Sequence, residues 1–468
     1  SWPKFTKRIE VINSEAAARA NPVTAFIEAA IWHGTLDAAE AILAAHPEIA
    51  QNSIHVAAIL GDDAAVRRFI AADPRNVTKK EAPYDGDALV YLCLSKYLRL
   101  DKTRSEAFIR AAKALLDAGA DPNTGFTAKD EYGDFETALY GAAGVAHHAD
   151  LTRLLLERGA DPNDNETFYH TPETYDNDAL KALVESGKMR PDLLAGMLLR
   201  KADWHDYEGM KYLLEHGADP NLMTMWGYTA LHQAVRRDNH LRNIELLLDH
   251  GADPMIKTVT EIAAHFPAVN GQRTAFAIAA HRGRGDVLEA MERRGCALEF
   301  NGVDRLIAAC ARNDAAAVRA LAEREPHLVK ELVAEGGRLL AEFSGNDNAD
   351  GVTLLLDLGV PVDAHYHGDP YFDIAKGSTA LHVSAWKAWP KTVKLLIERG
   401  ANVNTQDAKG RTPLMLAVKA CVDSYWTNRR SPESVEALLE AGASISGVDF
   451  PCGYAEVDAL LQSYGKTI

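Results

Sequence analysis

Cysteine is scarce. The 468 residues hold five, Cys93, Cys296, Cys310, Cys421 and Cys452, far apart and without a C-x-x-C pair. That pattern excludes a disulfide scaffold and a cysteine-based zinc module, and it points to a reducing compartment. No basic block offsets the excess of 66 acidic over 50 basic residues, a formal charge of -16. Nucleic acid is therefore not an expected partner. No apolar run approaches the roughly 20 residues of a membrane span, and the opening SWPKFTKRIEVINSEAAARA lacks the apolar core of a secretory leader. The expectation is a soluble, cytoplasmic protein without a membrane partner. Catalytic signatures are missing as well: there is no G-x-S-x-G elbow, P-loop, dinucleotide fingerprint or H-E-x-x-H pair. No cofactor is implied.

What the chain does contain is 47% hydrophobic residues, enough for a large core. They recur in a pattern that is clearest from Gly377 to Asn404, GSTALHVSAWKAWPKTVKLLIERGANVN. Thr379 is an expected N-cap, and Leu381, Ser384 and Ala385 give a short helix a mostly small inner face. Pro390 marks a break and restart. Val393, Leu395, Leu396 and Ile397 supply the stripe of a second helix, closed by Gly400 in a left-handed cap. Such a unit cannot bury its apolar face alone and needs like units on both sides.

The Thr379 to His382 sequence TALH, the small residues after it, the LLIERGA run and the final Asn together resemble the ankyrin repeat. The family's usual Pro after the Thr is Ala here. At a period of about 33 residues, about a dozen such units can be traced. They include SIHVAAILGDDAAVRRFIAADP from Ser53, TALYGAAGVAHHADLTRLLLERGADPN from Thr137, and WGYTALHQAVRRDNHLRNIELLLDHGADP from Trp226. The resemblance implies an all-α solenoid of stacked helix-turn-helix units with short finger turns. Residues 1–21 read as a lead-in helix, 22–446 as the array and 447–468 as a capping segment. Insertions are expected near 99–105, 124–136, 364–377 and 421–434. In the unit at 168–187 the outer helix is kept after a Thr171-Pro172 start, but the inner helix is missing or a single turn, which leaves a notch.

In ankyrin stacks partners bind along the fingers and the exposed ends of the inner helices, so departures from the pattern there are the informative positions. Around the inner-helix ends they are Tyr140, His147, His148, Trp204, His205, Asp206, Arg236, Arg237, Asp238, His281, Arg282 and Trp386. The degenerate unit and the fingers add Tyr169, His170, Glu173, Tyr175, Trp226 and Tyr228, with Tyr132 beside them. Aromatic and arginine side chains are enriched at binding hot spots. His55, His232 and His382 occupy the repeat's own Thr-x-Leu-His position, where the resemblance implies a structural imidazole that bonds a neighbouring loop. The run HRGRGD at His281 to Asp286 is read as a helix turn, with Gly283 and Gly285 opening an outer helix, rather than as a phosphate loop.

Two functions follow. The first is an interaction protein that binds a partner protein along the concave groove; the acidic balance suggests a partner with a basic or mixed surface. The second is a small-molecule binder or enzyme, possibly metal-assisted, with a pocket between 140 and 238 and His147, His148, Glu173, Tyr175, His205 and Asp206 as candidates. Adjacent histidines are not by themselves a metal site, because ligands must converge on one point.

Overall fold

Four inner helices, Ile54–Leu60, Ala230–Arg236, Ala275–His281 and Ala380–Trp386, have only seven residues each. Helices this short are marginal in water, so tertiary burial must hold them. All seven residues of Ala380–Trp386 are buried. The computed structural model describes residues 21–129, 133–259 and 272–465. The expected lead-in helix falls almost wholly outside these residues, as does Tyr132. The described chain is helical, as the repeat pattern requires, and forms two compact units, 21–253 with 259, and 254–258 with 272–465.

In the N-terminal unit, inner and outer helices alternate: Pro22–Ala30 with Asp37–Ala45, Ile54–Leu60 with Asp63–Ala72, and Ala88–Cys93 with Ser105–Asp117. The insertion expected near 99–105 is occupied by a short helix, Lys96–Leu100, and a 3-10 turn, Lys102–Arg104. The finger at 124–136 is drawn out into a hairpin: Gly125–Thr127 pairs antiparallel with Phe135–Thr137, with Phe126 opposite Glu136.

The next unit carries one residue more than the repeat, and a π-helical turn, Gly141–Val145, absorbs it before the outer helix Ala149–Glu157. The Ala146 N–H reaches back five residues to the Gly141 carbonyl at 2.9 Å. The degenerate unit keeps a single-turn inner helix, Thr167–His170, and an outer helix, Asp178–Glu185. Its start differs from the expected Thr171-Pro172. Asp164 caps the turn by accepting the Thr167 N–H at 2.6 Å, and Thr171 ends it, with its hydroxyl on the Thr167 carbonyl at 2.6 Å. Pro191–Asp203 with Tyr207–Glu215, then Ala230–Arg236 with Leu241–Asp249, complete this unit.

The C-terminal unit pairs Ala275–His281 with Gly285–Arg293, Val303–Ala311 with Ala315–Arg324, Gly336–Gly345 with Ala349–Asp357, Ala380–Trp386 with Pro390–Glu398, and Pro413–Val422 with Glu433–Glu440. An additional helix, Pro326–Ala334, was not legible in the repeat pattern. The insertion expected at 421–434 begins later than its sequence suggests, because the inner helix runs on to Val422. Helix Ala455–Ser463 closes the chain.

Two side-chain devices repeat. At the helix start, the Thr379 N–H donates to His382 Nδ1 at 3.0 Å, and His382 Nε2–H donates to the Arg411 carbonyl at 3.1 Å, which fixes the neutral tautomer. Burial lowers the pKa of this imidazole, against an opposing pull from that backbone bond. At the unit end, the final Asn stitches to the next loop. Asn163 donates to the Lys188 carbonyl at 2.9 Å and accepts the Arg190 N–H at 2.8 Å; Asn221 does the same with Gly251 and Asp253 at 2.8 and 2.7 Å.

The turn between inner and outer helices needs one left-handed residue. Gly61 and Gly283 hold it at φ 69° and 71°, but Trp32, His147, His205, Asp238, Asn313, Asp347 and Ala388 do so at φ 49° to 72°. Gly285 serves close packing instead: a Cβ there would stand 2.1 Å from the Ala311 carbonyl oxygen. The HRGRGD run is thus a packed helix turn.

Candidate functional site

The inner helix Pro191–Asp203 has thirteen residues, nearly twice the seven of Ala230–Arg236 beside it. Its last turn therefore carries Arg200 and Asp203, on one face at i, i+3 spacing, beside the end of its neighbour. Asp203 is buried and ties three side chains together. Its Oδ2 accepts from Arg200 Nη1 at 2.7 Å; its Oδ1 accepts from Gln233 Nε2 at 2.5 Å and from Arg237 Nε at 3.1 Å. Burial raises the pKa of this carboxyl, but the Arg237 and Arg200 charges outweigh it and hold the group below the usual range.

Around this knot lies a recess lined by Tyr169, Leu199, Arg200, Asp203, Trp226, Tyr228, Gln233, Arg236 and Arg237. The Arg200 guanidinium stacks on the Tyr169 ring, 4.1 Å from its centroid, and Arg236 lies 4.9 Å from that of Tyr228. Trp226 packs against Tyr169 at 5.8 Å and Phe168 at 6.1 Å. The single-turn helix of the degenerate unit supplies Phe168 and Tyr169.

Behind this wall, His170 sits between two carboxylates, Glu166 and Glu173, each at 3.1 Å. Burial lowers its pKa, but the hydrogen bonds and charges of both partners raise it further, to about 9. Glu173 also accepts from Arg200 Nη2 at 2.5 Å. Burial opposes its ionisation, yet His170 and Arg200 bring its pKa below the usual value. A chain of alternating charge thus runs from Glu166 through His170, Glu173, Arg200 and Asp203 to Arg237.

Among the eighteen sequence candidates, Tyr169, Trp226, Tyr228, Arg236 and Arg237 line the recess, and His170 and Glu173 brace it. Others lie apart. Tyr140 is buried against His170 and Trp32, at 5.3 and 6.1 Å, and burial pushes its hydroxyl pKa well up. His148 caps a helix: its Nδ1 accepts the Leu151 N–H at 3.1 Å and its Nε2–H meets Ser105 Oγ at 2.6 Å. His147, His205 and Asp238 hold left-handed turn positions. Burial drives the His147 pKa down to about 4, and its Nδ1 has no hydrogen-bond partner among the described residues. Asp206 caps its helix by accepting the Gly209 N–H at 3.0 Å and is locked to Lys201 at 2.8 Å and to Asn177 at 2.9 Å. Tyr175, exposed, donates to the Trp204 carbonyl at 2.9 Å.

His281, Arg282 and Trp386 belong to the C-terminal unit. His281 Nε2–H donates to Asp304 at 2.6 Å, while its Nδ1 accepts from Arg338 at 2.8 Å. Arg282 and Lys387 line a smaller recess with Glu342, Tyr366, Asp369 and Phe372. Trp386 Nε1–H donates to the Phe372 carbonyl at 2.6 Å. Among the described residues, no group of three or more His, Cys, Asp or Glu side chains is arranged to hold a metal ion. No helix among them is long and apolar enough to cross a membrane.

Sequence reasoning missed Arg200, Asp203, Gln233 and Leu199. It looked at and just after the helix ends, whereas these residues stand up to one turn earlier. The available signal was the extra length of the Pro191–Asp203 helix and the spacing of Arg200 with Asp203.

Short helix pairs stacked through threonine caps and asparagine stitches define a helical repeat protein. The family model described as Ankyrin repeats matches in three copies, over residues 197–258 and 339–449. Over those residues the chain carries ankyrin repeats. It is similar to Rabankyrin-5 of Homo sapiens, 39% identical over 64 residues, which is 14% of this chain and 6% of that protein. It is also similar to Protein glp-1 of Caenorhabditis elegans, 39% identical over 83 residues, or 17% and 6% of the two chains. The chain thus matches only a small fraction of the length of these relatives. Among solved structures, the human ASB11 ankyrin repeat domain aligns at 22% identity with a TM-score of 0.23, covering 53% of this chain and 99% of that one. Ankyrin repeats are typically protein-interaction modules, which supports a general protein-binding role.

Proposed function

We propose that the chain binds a partner protein along the inner-helix face of its N-terminal unit, with the recess around Trp226 and Arg237 at the centre. The observation that carries this reading is the convergence of three aromatic rings and three guanidinium groups on one recess. Such side chains bring large contact area at low entropic cost and dominate binding hot spots. The arginines are held in place by Asp203 and by the rings beneath them, so little freedom is lost on association.

The test is retention of a specific partner when the purified chain is passed over lysate of its source at low salt. Trp226→Ala and Tyr169→Ala should release that partner while the variants stay folded by circular dichroism. A partner held equally by wild type and both variants would sink this reading. If no partner is retained and a metabolite instead raises the melting temperature of the wild type but not of these variants, the recess serves a small molecule.

A further inference from the structure

In the C-terminal unit, the finger at 364–377 folds back onto the ends of the inner helices. At its neck the Tyr366 N–H donates to the Ser378 carbonyl at 2.8 Å. Beyond the neck a 3-10 turn, Pro370–Phe372, carries Phe372 into a slot, where the ring is buried. Its carbonyl accepts the Trp386 Nε1–H at 2.6 Å, and its ring centroid lies 3.7 Å from Lys387 Nζ and 6.1 Å from that of Trp426. The slot is thus built by two successive repeats. Asp373, next in the chain, anchors the tip on the following finger, pairing with Lys409 at 2.6 Å and Arg411 at 3.0 Å.

A segment that buries one ring in a slot and sets the next carboxylate on two cations is held as a bound peptide is held. We propose that this finger is an autoinhibitory contact: it occupies a peptide-binding slot of the C-terminal unit, and its release admits a partner segment in which a carboxylate follows an aromatic side chain. The slot takes no part in the recess around Trp226.

The finger is built to be released. Besides its neck and turn bonds, it holds itself by one pairing, Asp369 with Ile374, at 2.8 and 3.0 Å. Segments with so few regular backbone bonds open at lower free energy than the helices beneath them. Gly368 and Gly377, at φ 92° and 79°, stand at its two ends, where the absence of a Cβ leaves the backbone free to swing. Lys409 is exposed, so salt screens the anchor at Asp373. Withdrawal of Phe372 uncovers Trp386 and Trp426 together, and a partner's ring restores the lost burial.

Hydrogen exchange on the full chain reads the release. The amides of Phe372, Asp373 and Ile374 should exchange at least about tenfold faster than those buried in Ala380–Trp386, and faster still at high salt. Exchange at the rate of that helix would mark the finger as a fixed part of the core and overturn the proposal. The slot itself is tested with the finger's own sequence, residues 366–376, as a labelled peptide in fluorescence anisotropy. It should bind a chain in which 367–377 is replaced by an Asn-Gly turn, and bind wild type about tenfold or more weakly, because the resident finger competes. Peptides carrying Phe372→Ala or Asp373→Asn should also bind more weakly. If the shortened chain loses its cooperative melt, Phe372→Ala in the full chain takes its place, and its emptied slot should bind the unaltered peptide more tightly than wild type does. Equal binding by wild type and the folded variant, or no binding by that variant, would overturn the proposal.

Discussion

Asp203 and Arg237 stand at the ends of neighbouring inner helices, and Asp203 Oδ1 accepts the Arg237 Nε–H at 3.1 Å. Arg200 meets the other oxygen of the same carboxylate at 2.7 Å, so one buried anion holds two cations in the recess. Breaking a buried pair costs more than forming it gains, because the abandoned charges stay desolvated. Asp203→Asn should therefore lower stability by about 3 kcal/mol, read as a reduced urea midpoint at an unchanged m-value.

The asparagine stitches are smaller and more exposed. Asn163 replaces two backbone bonds between adjacent loops, at 2.9 and 2.8 Å. Asn163→Ala should cost about 1–2 kcal/mol, and amide exchange of Arg190 should speed up while distant repeats keep their protection.

Left-handed turn residues make an opposite prediction. Ala388 sits at φ 57° without a side chain that could compensate. Ala388→Gly should stabilise the protein by about 1 kcal/mol, measured by thermal melting. Gly283→Ala should do the reverse and by more, since a Cβ there would lie 2.6 Å from the Phe343 ring in addition to the strain at φ 71°.

Two histidines set opposite limbs of the pH-stability curve. The folded-state pKa of His170 is raised to about 9, so its contribution is complete below the unfolded value of 6.5 and fades as pH rises through 9. His147 is depressed to about 4, so its contribution is present above 6.5 and fades as pH falls through 4. Denaturant titrations across this range should show the alkaline decline vanish in His170→Gln and the acid decline shrink in His147→Gly. An unchanged alkaline limb in His170→Gln would refute the assignment.

Much of the fold was legible because the repeat writes its packing locally. Thr379, His382 and Gly400 announce a cap, a tautomer-fixing bond and a stop within one stretch, and the structure shows those roles at Thr379 and His382. The helix Pro326–Ala334 and the hairpin at Gly125–Thr127 were not legible, since neither follows the repeat period. The site was half legible. Trp226, Tyr228, Arg236 and Arg237 stood out as departures from a pattern, whereas Asp203 and Gln233 read as ordinary helical polar residues. Their meaning lies in partners 30 residues or more away, Gln233 to Asp203 and Arg237 to Asp203 being separated by 30 and 34 positions.

The sequence by itself determined the repeat, its caps and its turns, because each depends on residues within one helical turn or one loop. Only the tertiary structure decided which of the unusual side chains meet. The inner helices bring side chains from successive units onto one face, so that Tyr169, Arg200, Trp226 and Arg237 share one recess while His148 and Asp206 cap their own helices.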